Sequence, residues 1–267
     1  MARPYLGNPK YTIEVLQKYH FVFQKRFGQN FLIDEHVLEK IIDSSGITKD
    51  DFILEIGPGI GTMTQYLCEN AREVAAVEID NNLIPILKDT LKEYDNVEVI
   101  HEDILKVDIQ ELAQRKNQGR PIKVVANLPY YISTPIIMKL LESRLSIDEI
   151  IVMVQKEVAE RLTAKTGTRL AGAITYAVEY YSDATSIIKV PKESFVPSPK
   201  VESEVIKLKV RKDKKIQVKD EKLLFNIISK SFMQRRKTLS NALLNNNIMH
   251  SKEDVKNMWI ELGIDEN

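Results

Sequence analysis

The sequence predicts an α/β fold: a mostly parallel sheet with helices on both faces, followed by a small all-helical C-terminal domain. Three observations carry this. Between Phe52 and Val154, short apolar runs alternate with amphipathic helical patterns. Gly57, Gly59 and Gly61 crowd directly behind the first of those runs. After about Arg211 the strand-like runs stop and only helical periodicity remains. Strands that alternate with helices make right-handed crossovers, which leave the strands parallel.

Phe52-Ile53-Leu54-Glu55-Ile56 reads as the first buried strand, and a glycine turn leads from it to a helix over 63–69. Val74-Ala75-Ala76-Val77 is a second strand, followed by a helix carrying Leu83, Ile86, Leu87 and Leu91. Val97-Glu98-Val99-Ile100 is a third, and Val124-Val125-Ala126 a fourth with a helix near 135–141. Ile150 to Val154 forms a fifth, and the alternation across 205–210 forms a last one. A lysine-rich linker over 212–219 then leads to the helical patterns of Leu223, Leu224, Ile227 and Ile228, and of Leu239, Leu243 and Leu244. The expected division is a domain over 1–212, with a basic N-terminal extension over 1–30, and a helical domain over 213–267.

At 43% hydrophobic and 28% charged residues, the composition is that of a globular protein. No stretch approaches the roughly 20 apolar residues of a membrane span, and the N-terminus lacks the apolar run of a signal peptide. Cys68 stands alone within a helical pattern and reads as a small core residue. A cytoplasmic protein is expected. The net charge of zero hides segregation. Residues 1–30 carry five basic and one acidic side chain, 31–110 six and eighteen, and 205–240 twelve and three. Two basic segments flanking an acidic body suit a nucleic-acid partner, because backbone phosphates attract clustered Lys and Arg. Such runs are also common as plain solvated faces.

Ligands of parallel α/β sheets bind at the C-terminal strand ends, so the residues just behind each strand matter most. The first carries Gly57-Pro58-Gly59-Ile60-Gly61, a tight turn that lets a ligand approach the backbone. Its spacing is not the G-x-G-x-x-G of nicotinamide-binding folds. Glu78 ends the second strand, where a carboxylate can accept both hydroxyls of a ribose. Asp103 follows the third and could read an adenine amino group. Asn127-Leu128-Pro129-Tyr130 follows the fourth. Alone, it could be a strand-ending turn. It also combines an amide carbonyl, a backbone held by proline and an aromatic face, which is what orienting an exocyclic amine requires.

These motifs in this order resemble the class I S-adenosylmethionine-dependent methyltransferases that act on exocyclic amines, and most closely the rRNA adenine N6-dimethyltransferases. Gly28-Gln29-Asn30-Phe31-Leu32 resembles that family's N-terminal motif. The segment from Phe195 to Ser203 resembles its second target-base loop, and Gln234-Arg235-Arg236-Lys237-Thr238-Leu239 its basic helical motif. The likeness runs from about Phe23 to Leu262. Asn127 to Tyr131, Gln155 to Arg161 and the Phe195 loop resemble the small-subunit branch. Ala171 stands where the family usually carries Tyr, and members usually continue past position 267 with a short basic tail.

The resemblance implies a Rossmann-like sheet and S-adenosylmethionine as cofactor. Asn30 and Leu32 would meet its methionine part, Gly57 and Gly59 would pack against it, Glu78 would hold the ribose and Asp103 the adenine. Asn127 would lie between cofactor and target base. The Asn127 side chain and the Leu128 carbonyl would accept the N6 hydrogens, while Tyr130 and Phe195 stack on the base. Arg235, Arg236 and Lys237 would hold phosphates. The implied reaction is in-line methyl transfer without a metal or a strong base. The implied substrate is two adjacent adenines in the 3′-terminal hairpin loop of small-subunit rRNA, in an immature small ribosomal subunit, and a monomer is expected. Three other readings stay open on the residues. They are a large-subunit adenine N6-methyltransferase of the macrolide-resistance type, a ribosome-assembly factor acting mainly by binding and, opposed by the glycine spacing, a nicotinamide oxidoreductase. Replacing Arg235, Arg236 and Lys237 by alanine is expected to weaken RNA binding. The log–log salt slope should flatten by roughly one for each phosphate that the variant no longer neutralises. Titrations between low and moderate salt measure that slope.

Overall fold

The structure is a computed structural model that describes residues 5–143, 145–213, 215–234 and 237–264. In chain order its elements are α1 (Pro9–Lys18), β1 (Phe31–Leu32), α2 (Glu35–Ser45), β2 (Phe52–Ile56), α3 (Thr62–Asn70), β3 (Glu73–Glu78) and α4 (Ile84–Thr90). β4 (Val97–His101), α5 (Ile109–Asn117), β5 (Ile122–Asn127), α6 (Ser133–Glu142), β6 (Ile147–Gln155), α7 (Lys156–Leu162), α8 (Ala173–Tyr181) and β7 (Ser182–Val190) follow. The chain closes with β8 (Phe195–Val196), β9 (Ser203–Val210), α9 (Glu221–Met233), α10 (Leu239–Asn245) and α11 (Lys252–Leu262).

Seven strands form the main sheet in the order β4-β3-β2-β5-β6-β9-β7. The pairs from β4 to β6 are parallel, and β9 runs antiparallel to both β6 and β7. Every residue of β2 is buried, and alternation sends its side chains into two cores. Phe52, Leu54 and Ile56 enter one with α5 and α6, while Ile53 enters the other with Val37, Leu38 and Ile41 of α2 and Met63, Leu67 and Cys68 of α3. Strands covered on both faces read as continuous apolar runs, which explains why the central strands were visible in the sequence. β7 was not anticipated. Its segment, Ser-Asp-Ala-Thr-Ser-Ile-Ile-Lys-Val, lies at the sheet edge with only its two end residues buried, and its register shifts between Ser186 and Ile188.

Within its described residues the basic N-terminal extension is packed against the sheet domain. Leu6 and Leu16 join Phe31, Ile60, Ile86 and Leu87 in a third core, and the buried Thr12 hydroxyl donates to the Leu6 carbonyl at 2.6 Å. Lys18 is paired with Asp89. None of the helices in the described residues is long and apolar enough to cross a membrane.

Behind β9 the chain holds only helices among the described residues. Leu243, Val255 and Trp259 form a small core of their own, and the Trp259 indole donates to the Ser240 hydroxyl at 3.0 Å. α9 leans on α8 through aromatic rings, with Phe225 stacked on Tyr181 at 5.4 Å between centroids and Phe232 tilted against Tyr176 at the same distance. We propose the division at 212–213 as a boundary between folding units. Trp259 belongs to the smaller unit and is the chain's single tryptophan. In urea, its fluorescence is then expected to change at a lower midpoint than the far-ultraviolet circular dichroism. Coincident transitions would mean one cooperative unit.

Candidate active site

A cleft opens where β2, β3, β4 and β5 end. It lies at the point where chain order reverses, β3 lying on one side of β2 and β5 on the other. The glycine turn forms its floor. Gly57, Gly59 and Gly61 have φ of 70°, 63° and 94°, a left-handed backbone that a side chain disfavours. At Gly59 a Cβ would also press on the Phe31 ring at 3.0 Å.

Hydrogen bonds tie the walls together. The Gly59 N–H donates to Oε2 of Glu78 at 3.2 Å, and the Asp80 N–H donates to Oε1 at 2.8 Å. Gln29 donates from Nε2 to the buried Asp80 at 2.6 Å and accepts the Gln24 N–H at 2.7 Å. The segment at 28–32 is thereby strapped across the cleft toward the end of β3. On its other side Asn127 donates from Nδ2 to the Asn30 carbonyl at 3.2 Å. Asn30 in turn donates to the Gly28 carbonyl at 3.0 Å. With one amide hydrogen engaged on the strap, Asn127 has its Oδ1 as the side-chain acceptor.

Of the remaining anticipated residues, Asp103, Leu128, Tyr130 and Leu32 also line the cleft. Asp103 is half-buried, and its Oδ1 accepts the Leu105 N–H at 2.9 Å. Leu128 is buried, with its N–H donated to the Met153 carbonyl at 3.1 Å. Tyr130 shares a hydrogen bond of 2.6 Å with Ser203. Phe195 departs from the expectation. Its ring is 3% exposed in the core with Leu32 and Val190, outside the cleft wall. The cause is local pairing: β8 lies antiparallel to β1, opposing Leu32 to Phe195 and turning that ring inward. Stacking by Phe195 therefore requires this short ribbon to open. Arg235 and Arg236 lie outside the described residues. Lys237 is exposed in the turn between α9 and α10, not within a helix, because Thr238 caps α10.

Several lining residues carried no anticipated role. Glu55 is fully buried and its carboxyl is pushed up to about 8, by burial first and then by the charge of Glu78. Its Oε2 and the Thr62 hydroxyl have no hydrogen-bond partner. Burial likewise raises Glu78 to about 7. An acid inside an otherwise apolar strand was the available signal for Glu55. Behind the cleft, Asp80 gave none, since nothing in the sequence shows that it meets Gln29 of the 28–32 motif.

This sheet, with a glycine turn and acids at successive strand ends and Asn127 facing them across the strap, defines a Rossmann-like methyltransferase. The chain belongs to the ribosomal RNA adenine dimethylase family, whose pattern matches residues 20–266. Proteins named ribosomal RNA small subunit methyltransferase A are similar over nearly the whole chain. That of Lachnoclostridium phytofermentans is 62% identical over 262 residues, covering 97% of this chain and 90% of the relative. That of Clostridioides difficile is 50% identical over 261 residues, covering 98% and 90%. A dimethyladenosine transferase from Plasmodium falciparum has a crystal structure with a TM-score of 0.69 at 29% identity, covering 89% of this chain and 83% of that one. The 23S rRNA methyltransferase ErmE shares the fold, with a TM-score of 0.65 at 24% identity over 88% and 91%.

The raised acids have a consequence for stability. Folded Glu55 and Glu78 hold protons that the unfolded chain releases near its ordinary carboxylate range, so the folded state binds more protons in between. Stability contributed by these groups is therefore expected to fall as pH rises from about 5 to about 8. Glu55→Gln, which cannot ionise, is expected to remove a large part of that decline. Thermal melts across the same pH range check it.

Proposed function

We propose that this protein transfers methyl groups from S-adenosylmethionine to N6 of two adjacent adenines in the 3′-terminal hairpin loop of small-subunit rRNA. The carrying observation is the Asn127 amide, which donates to the Asn30 carbonyl through Nδ2 and has Oδ1 as an acceptor at the cleft. The relatives' names support a small-subunit target over a large-subunit one.

The residues present fit the cofactor. The unpartnered Glu55 Oε2 and Thr62 hydroxyl lie in residues lining the cleft, and buried polar atoms of this kind call for a ligand or water. The left-handed glycine turn lets a ligand approach the backbone. Glu78 would hold the ribose, Asp103 the adenine, and Asn30 with Leu32 the methionine part. When bound, S-adenosylmethionine supplies a methyl group already activated by the sulfonium.

The protein's own task is alignment. Adenine N6 is a weak nucleophile, because its lone pair is delocalised into the ring. The Asn127 Oδ1 and the Leu128 carbonyl accept its two hydrogens and favour a pyramidal nitrogen. The same acceptors stabilise positive charge as it develops there. Tyr130 supplies a stacking face worth ~1–3 kcal/mol per base. A hairpin-loop target keeps the cost of extruding the base low.

Asn127→Ala is expected to lower methyl transfer by roughly 10²-fold or more, the scale for losing one such polar group, while S-adenosylhomocysteine binding stays within a few-fold. Retained turnover would exclude the role. Mapping dimethyladenosine in immature small subunits and in large-subunit rRNA, after incubation with purified protein, tests the choice of substrate.

A further inference from the structure

The ring of Tyr130 is held at both ends. On the backbone side, the Pro129 carbonyl accepts the Ile132 N–H at 3.1 Å and the Tyr130 carbonyl accepts the Ser133 hydroxyl at 3.3 Å. At the far end, the phenol oxygen is 2.6 Å from the Ser203 hydroxyl. Ser203 has no exposure at all, and as the first residue of β9 it is paired with Gln155 of β6 on one side and Val190 of β7 on the other. The preceding residue is held too, since the Glu202 carbonyl accepts the Lys156 N–H at 3.0 Å. The hydroxyl is thus mounted on a strand between two neighbours, and its position is set by the sheet. The phenol oxygen lies on the Cβ–Cγ axis, so the bond opposes not a turn about that axis but a swing of the whole ring from the cleft, which would leave a buried hydroxyl unpaired. The half-buried ring lines the cleft.

We propose that Ser203 is a positioning residue that fixes the long axis of the Tyr130 ring at the cleft and so sets where the target base stacks. This rests on the reading of Tyr130 as the stacking wall. It also gives the segment from Phe195 to Ser203 a function that does not require Phe195 to leave the core. The loop's last residue aligns the wall that the Asn127-to-Tyr130 turn supplies. Orientation matters more to the transfer step than to RNA affinity, because phosphate contacts elsewhere dominate binding.

Steady-state methylation of immature small subunits by Ser203→Ala, Ser203→Thr, Tyr130→Phe and the Ser203→Ala/Tyr130→Phe double variant tests this. Ser203→Ala should lower kcat roughly tenfold with KM for RNA and S-adenosylhomocysteine affinity within about twofold. Tyr130→Phe should do the same. The double variant should be no worse than either, because all remove one bond. Ser203→Thr, which keeps the hydroxyl, should restore kcat. A wild-type kcat in Ser203→Ala, additive losses in the double variant, or a loss that threonine does not rescue would each overturn the proposal. A second measurement needs no turnover. Wild type should bind the hairpin roughly tenfold more tightly than the same hairpin abasic at the target position, and Ser203→Ala should keep that preference to within about twofold. No preference in wild type would remove the stacking role of Tyr130. A preference lost in Ser203→Ala would mean that Ser203 supports base binding and not the transfer step, and would overturn its positioning role alone.

Discussion

Everything at the cleft depends on the parallel pairing of β2 with β3 on one side and β5 on the other. The register opposes Ile56 to both Val77 and Ala126, so the glycine turn, Glu78 and Asn127 leave the sheet at one level. Parallel strands bring their ends together only through long crossovers, and here α3 carries the chain from β2 to β3, and α4 and α5 carry it on through β4 to β5. The pairing also gives β2 two apolar faces, so the strand that carries the glycine turn is the most completely buried one beside the cleft. A site whose geometry must be accurate is built on a strand that is buried throughout.

The buried acids stand against that stability. Glu55 and Glu78 occupy positions where an apolar side chain would pack without penalty, and burial disfavours their charged forms. Glu78 recovers part of this through the Gly59 and Asp80 N–H groups. Glu55 does so less, with one oxygen unpartnered. Such cost, concentrated where a polar ligand would be received, is the pattern of a binding site.

The strap at 28–34 joins two functions that the sequence keeps far apart. It meets Asn127 and Asp80 through Asn30 and Gln29. It also runs straight into β1, which pairs with β8. Just beyond, the Ser194 hydroxyl donates to Asp34 at 2.6 Å and the Ile33 N–H donates to the Ser194 carbonyl at 2.8 Å. The ligand-facing segment and the loop expected to meet the base are therefore one bonded unit. A displacement of either is felt by the other, and the buried state of Phe195 is the direct result.

The parallel core of the sheet, its order of strand ends and most of the cleft were legible in the sequence by itself. Strands covered on both faces must be continuously apolar, and a ligand turn at such a strand must be glycine. The relation of Gly57, Glu78, Asp103 and Asn127 followed from topology alone. The sequence did not show β7, because an edge strand with solvent on one face needs no apolar run. Nor did it show the Gln29–Asp80 and Tyr130–Ser203 contacts, or the burial of Phe195. Those join residues separated by 51, 73 and, across the β1–β8 pair, more than a hundred positions. Local chemistry determines which groups stand at each strand end. Only the packed chain decides which of them touch, because a hydrogen bond between distant segments is set by the register of the strands that carry them.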